Sequence, residues 1–87
     1  MADKILKFQA SWCGPCQQLA MTLKGEDLGV EVEDVDIDKF PEVAVKYHVR
    51  SVPTLVYLRS EREIGRKIGG GSLQEVKDWL SLTSEGK

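Results

Sequence analysis

Short apolar segments separated by polar turns predict four strands and three helices. β-Branched residues support the second strand segment, and Leu19 and Leu23, four residues apart, mark the first helix. In chain order we predict a strand over 5–9, a helix from 14 that ends at Gly25, a strand over 30–38, a helix over 41–47, strands over 55–58 and 63–68, and a helix that follows Ser72. The tail over 83–87 is expected to fray.

The order of these elements predicts the topology of an α/β fold. The first two strands are joined through a helix and should lie parallel to each other. The polar turn over 59–62 joins the last two strands as an antiparallel hairpin. The order β-α-β-α-β-β-α gives a four-stranded mixed sheet with helices on both faces. The 87 residues leave room for one small domain, over 1–87.

Composition and charge exclude several classes of function. The chain is 41% hydrophobic and 30% charged, as in a globular protein, and its formal net charge is −2. Because no basic stripe could follow a phosphate backbone, nucleic acid is not expected as a partner. No apolar run approaches the roughly 20 residues of a membrane helix, and the N-terminal residues do not resemble a secretory signal. We expect a monomer located in the cytoplasm.

Two cysteines, Cys13 and Cys16, are separated by Gly14 and Pro15. A bridge between residues three apart closes almost no loop and would add little stability to a fold. A zinc site wants about four ligands, and apart from carboxylates His48 is the only other residue of the usual kind. We therefore expect no metal, and a chemical role for the cysteine pair is favoured over a structural one.

The pair stands where a predicted strand gives way to a predicted helix, which suits Cys13 to nucleophilic chemistry. Backbone N–H groups and the dipole at a helix N-terminus stabilise a thiolate and lower the pKa of its thiol. Thiolates attack disulfides. Cys16, one helical turn further on, is close enough to attack the mixed disulfide and release the reduced product. Gly14 and Pro15 keep the pair close together.

The string Trp12-Cys13-Gly14-Pro15-Cys16 resembles the active site of the thioredoxin family. The resemblance covers nearly the whole chain, because other segments fit the family as well. Val52-Pro53-Thr54 is similar to the family's cis-proline segment, and Tyr47 and Arg50 before it also fit. Asp36-Ile37-Asp38 is similar to the end of the strand after the active-site helix. Gly69 fits the glycine beside the substrate groove.

This resemblance implies a thioredoxin-like fold and a protein-disulfide reductase without a dissociable cofactor. Electrons would come from a thioredoxin reductase and pass to client disulfide proteins through Cys13 and then Cys16. The bond before Pro53 would be cis, and the backbone of Val52 would pair with an extended client segment. The implied client surface consists of Trp12, Val52, Pro53, Gly69 and Gly70.

The chain departs from the family in two features near the site. We expect it to lack the usual first strand and helix, so that the strand over 31–37 becomes an exposed edge. Its carboxylates either repel a second copy or form a merely solvated face. The family's buried aspartate is replaced by Lys7, and its lysine partner by Asp34. The two would form an inverted ion pair beneath Cys16 that lowers the pKa of its thiol by charge. A desolvated Lys7 could also accept a proton itself. The alternative is that Lys7 points to solvent.

Two other functions stay open. A glutaredoxin-like reductase would use glutathione, whose carboxylate the run over 69–72 could bind at a helix N-terminus. Against this function, Gly14-Pro15 is not the dipeptide that glutaredoxins favour. A non-catalytic docking or processivity subunit would use the apolar rim of Trp12, Val52 and Gly70 as its contact patch.

Residues outside the motif have plainer interpretations. His48, the one histidine, follows Tyr47 in a predicted loop, and we interpret it as a surface residue rather than a catalytic one. Trp79 lies on the last predicted helix and is interpreted as a core residue. Ser72 and Glu75 have the spacing of a capping box at the start of that helix.

Overall fold

The structure, a computed structural model, describes residues 2–86. Within that range strands and helices follow one another in the order predicted from the sequence. The elements are β1 (Asp3–Gln9), α1 (Gly14–Leu23), β2 (Glu31–Asp36), α2 (Pro41–Lys46), β3 (Thr54–Arg59), β4 (Arg62–Ile68) and α3 (Leu73–Gly86).

The strands form one four-stranded mixed sheet in the order β2-β1-β3-β4. β1 runs parallel to β2, with Lys7 opposite Asp34 and Gln9 opposite Asp36. β1 pairs antiparallel with β3, and β3 pairs antiparallel with β4. The predicted mixed sheet is therefore confirmed. β1 and β3 are its central strands, and β2 lies at one edge.

Both faces of the central strands are buried, because alternate side chains of a strand point to opposite sides. The face covered by α1 and α3 holds the buried side chains Ile5, Leu19, Leu55, Tyr57, Val76 and Leu80. The face covered by α2 holds Leu6, Phe8, Val35, Val56 and Leu58. Burial from both sides fixes the direction of β1 and of the segment that leads from it to Cys13.

Most predicted bounds differ from the observed ones by one or two residues. β1 begins at Asp3, because its carboxylate accepts a hydrogen bond from the Tyr57 hydroxyl at 2.6 Å and from the Arg59 guanidinium at 3.0 Å. Arg59, followed by Tyr57, holds the pKa of the Asp3 carboxyl below its ordinary value. β2 ends at Asp36, because the N–H groups of Lys39 and Phe40 both turn back to the Asp36 carbonyl oxygen.

The C-terminal residues 83–86 continue α3, which corrects the prediction that this tail frays. Arg59 donates a hydrogen bond from Nη2 to the backbone oxygen of Ser84 at 3.1 Å. Thr83 lies directly against Gly65 of β4. Packing on the sheet thus holds the last turn of the helix, whereas Lys87 lies outside the described residues.

We expect Gly65→Ala to lower the free energy of unfolding by about 1–3 kcal/mol, as overpacking of a filled site does. A Cβ atom at this position would lie 2.7 Å from Cγ2 of Thr83, so the Thr83 side chain, β4 or the end of α3 must shift. Urea denaturation followed by tryptophan fluorescence measures the change. Adding Thr83→Ser removes the clashing methyl group and should recover part of the loss. Equal stability of Gly65→Ala and the unchanged protein would show that the end of α3 does not pack on β4.

Candidate active site

The N-terminus of α1 presents a backbone N–H group to the sulfur of Cys13. Cys13 is the N-cap residue, with extended backbone angles (φ −92°, ψ 106°), and its Sγ accepts the N–H of Cys16 at 3.1 Å. Pro15 lies in the first turn, where its missing N–H breaks no helical hydrogen bond. The positive end of the helix dipole therefore points at the Cys13 sulfur.

Cys13 and Cys16 are joined by a disulfide, so the structure shows the oxidised form. Their Cα atoms are 5.2 Å apart, and each residue is only 4% exposed. The pair packs with Ala10 in a small cluster that partly buried Ile37 and Val52 complete. The two cysteines thus close one end of the sheet, with Gly14 and Pro15 exposed above them.

The segment before β3 forms a second wall of the site. The Val52–Pro53 peptide bond is cis, as the family resemblance implies. The carbonyl oxygen of Val52 lies 3.7 Å from Sγ of Cys13. Gly69 donates its N–H to the carbonyl oxygen of Pro53 at 2.9 Å, and its φ of 88° lies in the region that favours glycine. Three predicted client-surface residues therefore lie together around Cys13, and Gly70 follows directly along the chain.

Trp12 forms the third side of the site. Its side chain is 67% exposed, and its Nε1–H donates a hydrogen bond to Oδ2 of Asp38 at 2.9 Å. The N–H of Asp38 in turn donates to Oδ1 of Asp36 at 2.9 Å. Asp38, held by Asp36 just after β2, therefore fixes an exposed indole next to the cysteines. Large exposed apolar groups are typical of contact surfaces.

Comparisons with known proteins agree with this geometry. The family model described as Thioredoxin matches residues 2–82. The chain belongs to the thioredoxin family. Thioredoxin from Buchnera aphidicola is 37% identical over 84 residues, which cover 90% of this chain and 75% of that protein. Thioredoxin H5 from Oryza sativa is 37% identical over 88% of this chain, which spans only 61% of the relative. A thioredoxin variant from Halobacterium salinarum is similar in structure, with a TM-score of 0.82 and 32% identity over 93% of this chain and 74% of that one.

Membership of the thioredoxin family confirms the predicted fold and the predicted class of reaction. Thioredoxins are protein-disulfide oxidoreductases, and Cys13 and Cys16 form the redox-active disulfide that this chemistry requires. The family generally works with disulfide substrates and with thioredoxin reductase.

Lys7 and Asp34 form the ion pair that the sequence predicts. Nζ of Lys7 lies 3.3 Å from Oδ1 of Asp34, and the Lys7 side chain is 10% exposed, against 58% for Asp34. Lys7 therefore does not point freely into solvent. Both residues line a cavity of about 360 Å³ between α1 and β2, together with Ala20 of α1.

A neighbouring cavity of about 370 Å³ lies beside Cys16. The sequence of the active-site motif does not predict the polar residues that line this cavity. Gln9 and Asp36 line this cavity together with Cys16 and Ala20. Gln9 and Asp36 pair across β1 and β2, two residues further along each strand than Lys7 and Asp34. Of the two cross-strand pairs, only Gln9 with Asp36 shares a cavity with Cys16. The sequence does contain one signal for this pair. Side chains two residues apart on a strand point to the same face, so the pair Gln9 with Asp36 lies on the same face of the sheet as the pair Lys7 with Asp34.

The N-terminus of α3 is closed by its own side chain, as the predicted capping box requires. The N–H of Ser72 donates to Oε1 of Glu75 at 2.7 Å, and the N–H of Glu75 donates to Oγ of Ser72 at 3.1 Å. A carboxylate of the chain therefore already occupies this helix end. A glutathione carboxylate bound here would have to displace it.

The remaining singled-out residues lie outside the site. His48 is exposed and follows α2 with a φ of 55°. Trp79 is half-buried, and its ring packs edge-on against Tyr57 with centroids 6.3 Å apart, as a core residue does.

Within residues 2–86, no group of three or more His, Cys, Asp and Glu side chains is placed to hold a metal ion. No helix in that range is long and apolar enough to cross a membrane.

Proposed function

We propose that the chain is a protein-disulfide reductase in which Cys13 is the attacking thiolate and Cys16 is the resolving thiol. The observation that carries this proposal is the Cys16 N–H, which points at the Cys13 sulfur from 3.1 Å at the start of α1. Of the two cysteines, only Cys13 occupies the N-cap position. Its sulfur therefore receives the favourable field of the helix end, which lowers the pKa of a thiol.

The reaction consists of two exchanges at sulfur. The Cys13 thiolate attacks one sulfur of a client disulfide, and the other client sulfur leaves as a thiolate that takes up a proton. Cys16 then loses its proton and attacks Sγ of Cys13, so that the Cys13–Cys16 bond forms while the bond to the client breaks. Two electrons pass from the cysteine pair to the client. The product on the enzyme is the disulfide in the structure.

The client surface surrounds Cys13 on three sides. The exposed Trp12 indole offers an apolar contact, and the backbone of Val52 is placed for strand-like hydrogen bonds, since its carbonyl oxygen lies 3.7 Å from the Cys13 sulfur. Gly14 and Pro15 leave the approach to this sulfur free of long side chains. The proposed client-binding residues are Trp12, Val52, Pro53, Gly69 and Gly70.

We further propose thioredoxin reductase, rather than glutathione, as the electron donor. The Glu75 carboxylate accepts the Ser72 N–H at 2.7 Å and adds negative charge where a glutathione carboxylate would bind. The reaction belongs in a reducing compartment, because a dithiol must be regenerated there after each turnover. The cytoplasm is the compartment we propose.

Lys7 and Asp34 are proposed to support the second exchange. Lys7 is a largely buried cation, and Ala20, which lines its cavity, lies four residues after Cys16 on α1. A cation one helical turn below Cys16 favours negative charge on that sulfur. Asp34 fixes the direction of the Lys7 side chain through the 3.3 Å contact.

We expect NADPH oxidation with insulin as the client when electrons enter through thioredoxin reductase, and only the background rate through glutathione and glutathione reductase. Cys13→Ser should reduce the rate to background. Cys16→Ser should trap the client as a mixed disulfide, which mass spectrometry of the unreduced protein detects. Insulin reduction driven by dithiothreitol is the control for competent cysteines. A rate through glutathione alone would refute the proposed donor, and inactivity in all three assays would favour a docking role.

Lys7→Met should raise the pH at which the second exchange reaches half its maximal rate by about one unit, because a charge that favours the Cys16 thiolate is removed. Stopped-flow mixing of the reduced protein with a client disulfide over a pH series measures this midpoint. Lys4→Met is the matched control, since it removes the cation of another β1–β2 ion pair, Lys4 with Glu33 at 2.9 Å, on the opposite face of the sheet. An unchanged midpoint in Lys7→Met would remove Lys7 and Asp34 from the mechanism.

A further inference from the structure

We propose that Asp36 is the proton acceptor for Cys16 in the second exchange, through a water molecule in the cavity that the two residues line. This inference rests on the proposed reductase function and deepens it, because it assigns the proton that Cys16 must lose before it attacks Cys13. The active-site motif contains no residue for this step.

The geometry restricts where that proton can go. Cys16 is only 4% exposed, and in the mixed disulfide the client covers the surface around Trp12 and Val52. The cavity beside Cys16 lies on the β2 side of α1, and none of the proposed client-binding residues lines it. Its volume of about 370 Å³ is ample for water. A proton leaving Cys16 therefore has a route that a bound client leaves open.

Asp36 is the group in this cavity that can receive a proton. Among the described residues that line it, Asp36 carries the only carboxylate, and Gln9 adds a polar amide that can help hold a water molecule. Oδ1 of Asp36 accepts the Asp38 N–H at 2.9 Å, which fixes the orientation of the carboxylate. Lys7 lines the adjacent cavity and, as an ammonium group, offers hydrogen-bond donors and no acceptor.

Charge balance favours this transfer in a partly closed site. Before it, the cavity holds the Asp36 carboxylate and the neutral Cys16 thiol. After it, the cavity holds a neutral carboxylic acid and the Cys16 thiolate, so the total charge is unchanged. Two negative charges never face each other, which would otherwise raise the pKa of the thiol. The thiolate then attacks Sγ of Cys13, and the proton on Asp36 returns to solvent or to the departing client thiolate.

Other charged groups lie near Asp36 and Cys16, but each of them has another partner or lines another cavity. Lys7 and Asp34 line the adjacent cavity and pair with each other at 3.3 Å. Lys24 and Glu26, after α1, also line that adjacent cavity and not the one beside Cys16. Asp38, two residues after β2, accepts a hydrogen bond from the Trp12 indole.

Asp36→Asn separates proton transfer from simple electrostatics, because the two effects have opposite signs. Asparagine keeps an oxygen that can accept the Asp38 N–H and removes the negative charge. If Asp36 acted by charge alone, its removal would favour the Cys16 thiolate and speed the second exchange. If Asp36 accepts the proton, its removal slows that exchange.

The experiment is a single turnover of the reduced protein with insulin, quenched with acid at set times and analysed by mass spectrometry across a pH series. General-base contributions start at roughly 100-fold, and because a relay through water weakens them we expect Asp36→Asn to slow decay of the mixed disulfide about tenfold. The mixed disulfide should accumulate, and Asp36→Glu should restore much of the rate. Glu33→Gln, which removes a carboxylate from the opposite face of β2, is the matched control.

The outcomes separate this assignment from the proposed function. Unchanged or faster decay in Asp36→Asn, or equal slowing in Glu33→Gln, overturns Asp36 as the proton acceptor while the reductase function stands. Iodoacetamide alkylation of Cys13 should be the same in Asp36→Asn and the unchanged protein, because the first exchange does not use Asp36. If the unchanged protein forms no mixed disulfide and reduces no insulin, both the reductase function and the assignment fail.

Discussion

The field of backbone N–H groups at the start of α1, directed at one sulfur, is the interaction on which the chemistry depends. That field has a fixed direction only if α1 has a fixed position. Leu19, which is 2% exposed, anchors the helix in the core beside Ile5 of β1. At the other side of the junction, the Cys13 N–H donates to the Ala10 carbonyl oxygen at 3.2 Å. The burial of apolar side chains thus fixes the position of α1, and with it the direction of the backbone dipoles around Cys13.

The sheet arranges two different environments for the two cysteines. On one side, the cis-proline segment and Gly69 surround Cys13 with backbone groups and a little apolar surface, which suits the binding of an extended chain. On the other side, Gln9 of β1 and Asp36 of β2 add polar groups to the cavity beside Cys16. In the proposed mechanism, Cys13 meets the client, and Cys16 faces Asp36, the proposed proton acceptor. This division matches the order in which we propose that the two sulfurs react.

Strand β2 contributes few side chains to the apolar core, and most of its residues are polar or charged. Val35 is its one buried residue, and it packs on the α2 face. The opposite face carries Asp34 and Asp36, which the parallel register places beside Lys7 and Gln9. An edge strand with this many carboxylates is a poor template for further strand pairing. Its polarity places charge next to the active site.

Much of the site follows from the sequence, because its determinants are local. The Cys-Gly-Pro-Cys string lies between a strand pattern and a helix pattern, and this alone places a thiol at a helix N-terminus. The spacing of Ser72 and Glu75 likewise predicts their reciprocal hydrogen bonds. The cis bond before Pro53 follows from the family resemblance, since a local pattern does not distinguish it from an ordinary turn.

The features that escape prediction depend on contacts between distant segments. The last turn of α3 is held by Arg59 and by the fit of Thr83 against Gly65, and nothing in the composition of the tail shows either contact. The cavity beside Cys16 depends on where α1 crosses the strands and on the small side chain of Ala20. Asp36 therefore stands out only when the register of β1 and β2 is combined with the position of the helix.

The most direct test of the central interaction is the rate at which iodoacetamide alkylates Cys13 in the reduced protein as a function of pH. Mass spectrometry assigns the modified cysteine, and Cys13→Ser is the control. A thiolate held by the end of α1 should give an apparent pKa of about 7.5 or lower, since helix N-termini depress thiol pKa values into that range. Alkylation that follows the pKa of about 8.5 of a free cysteine would contradict the role assigned to the helix.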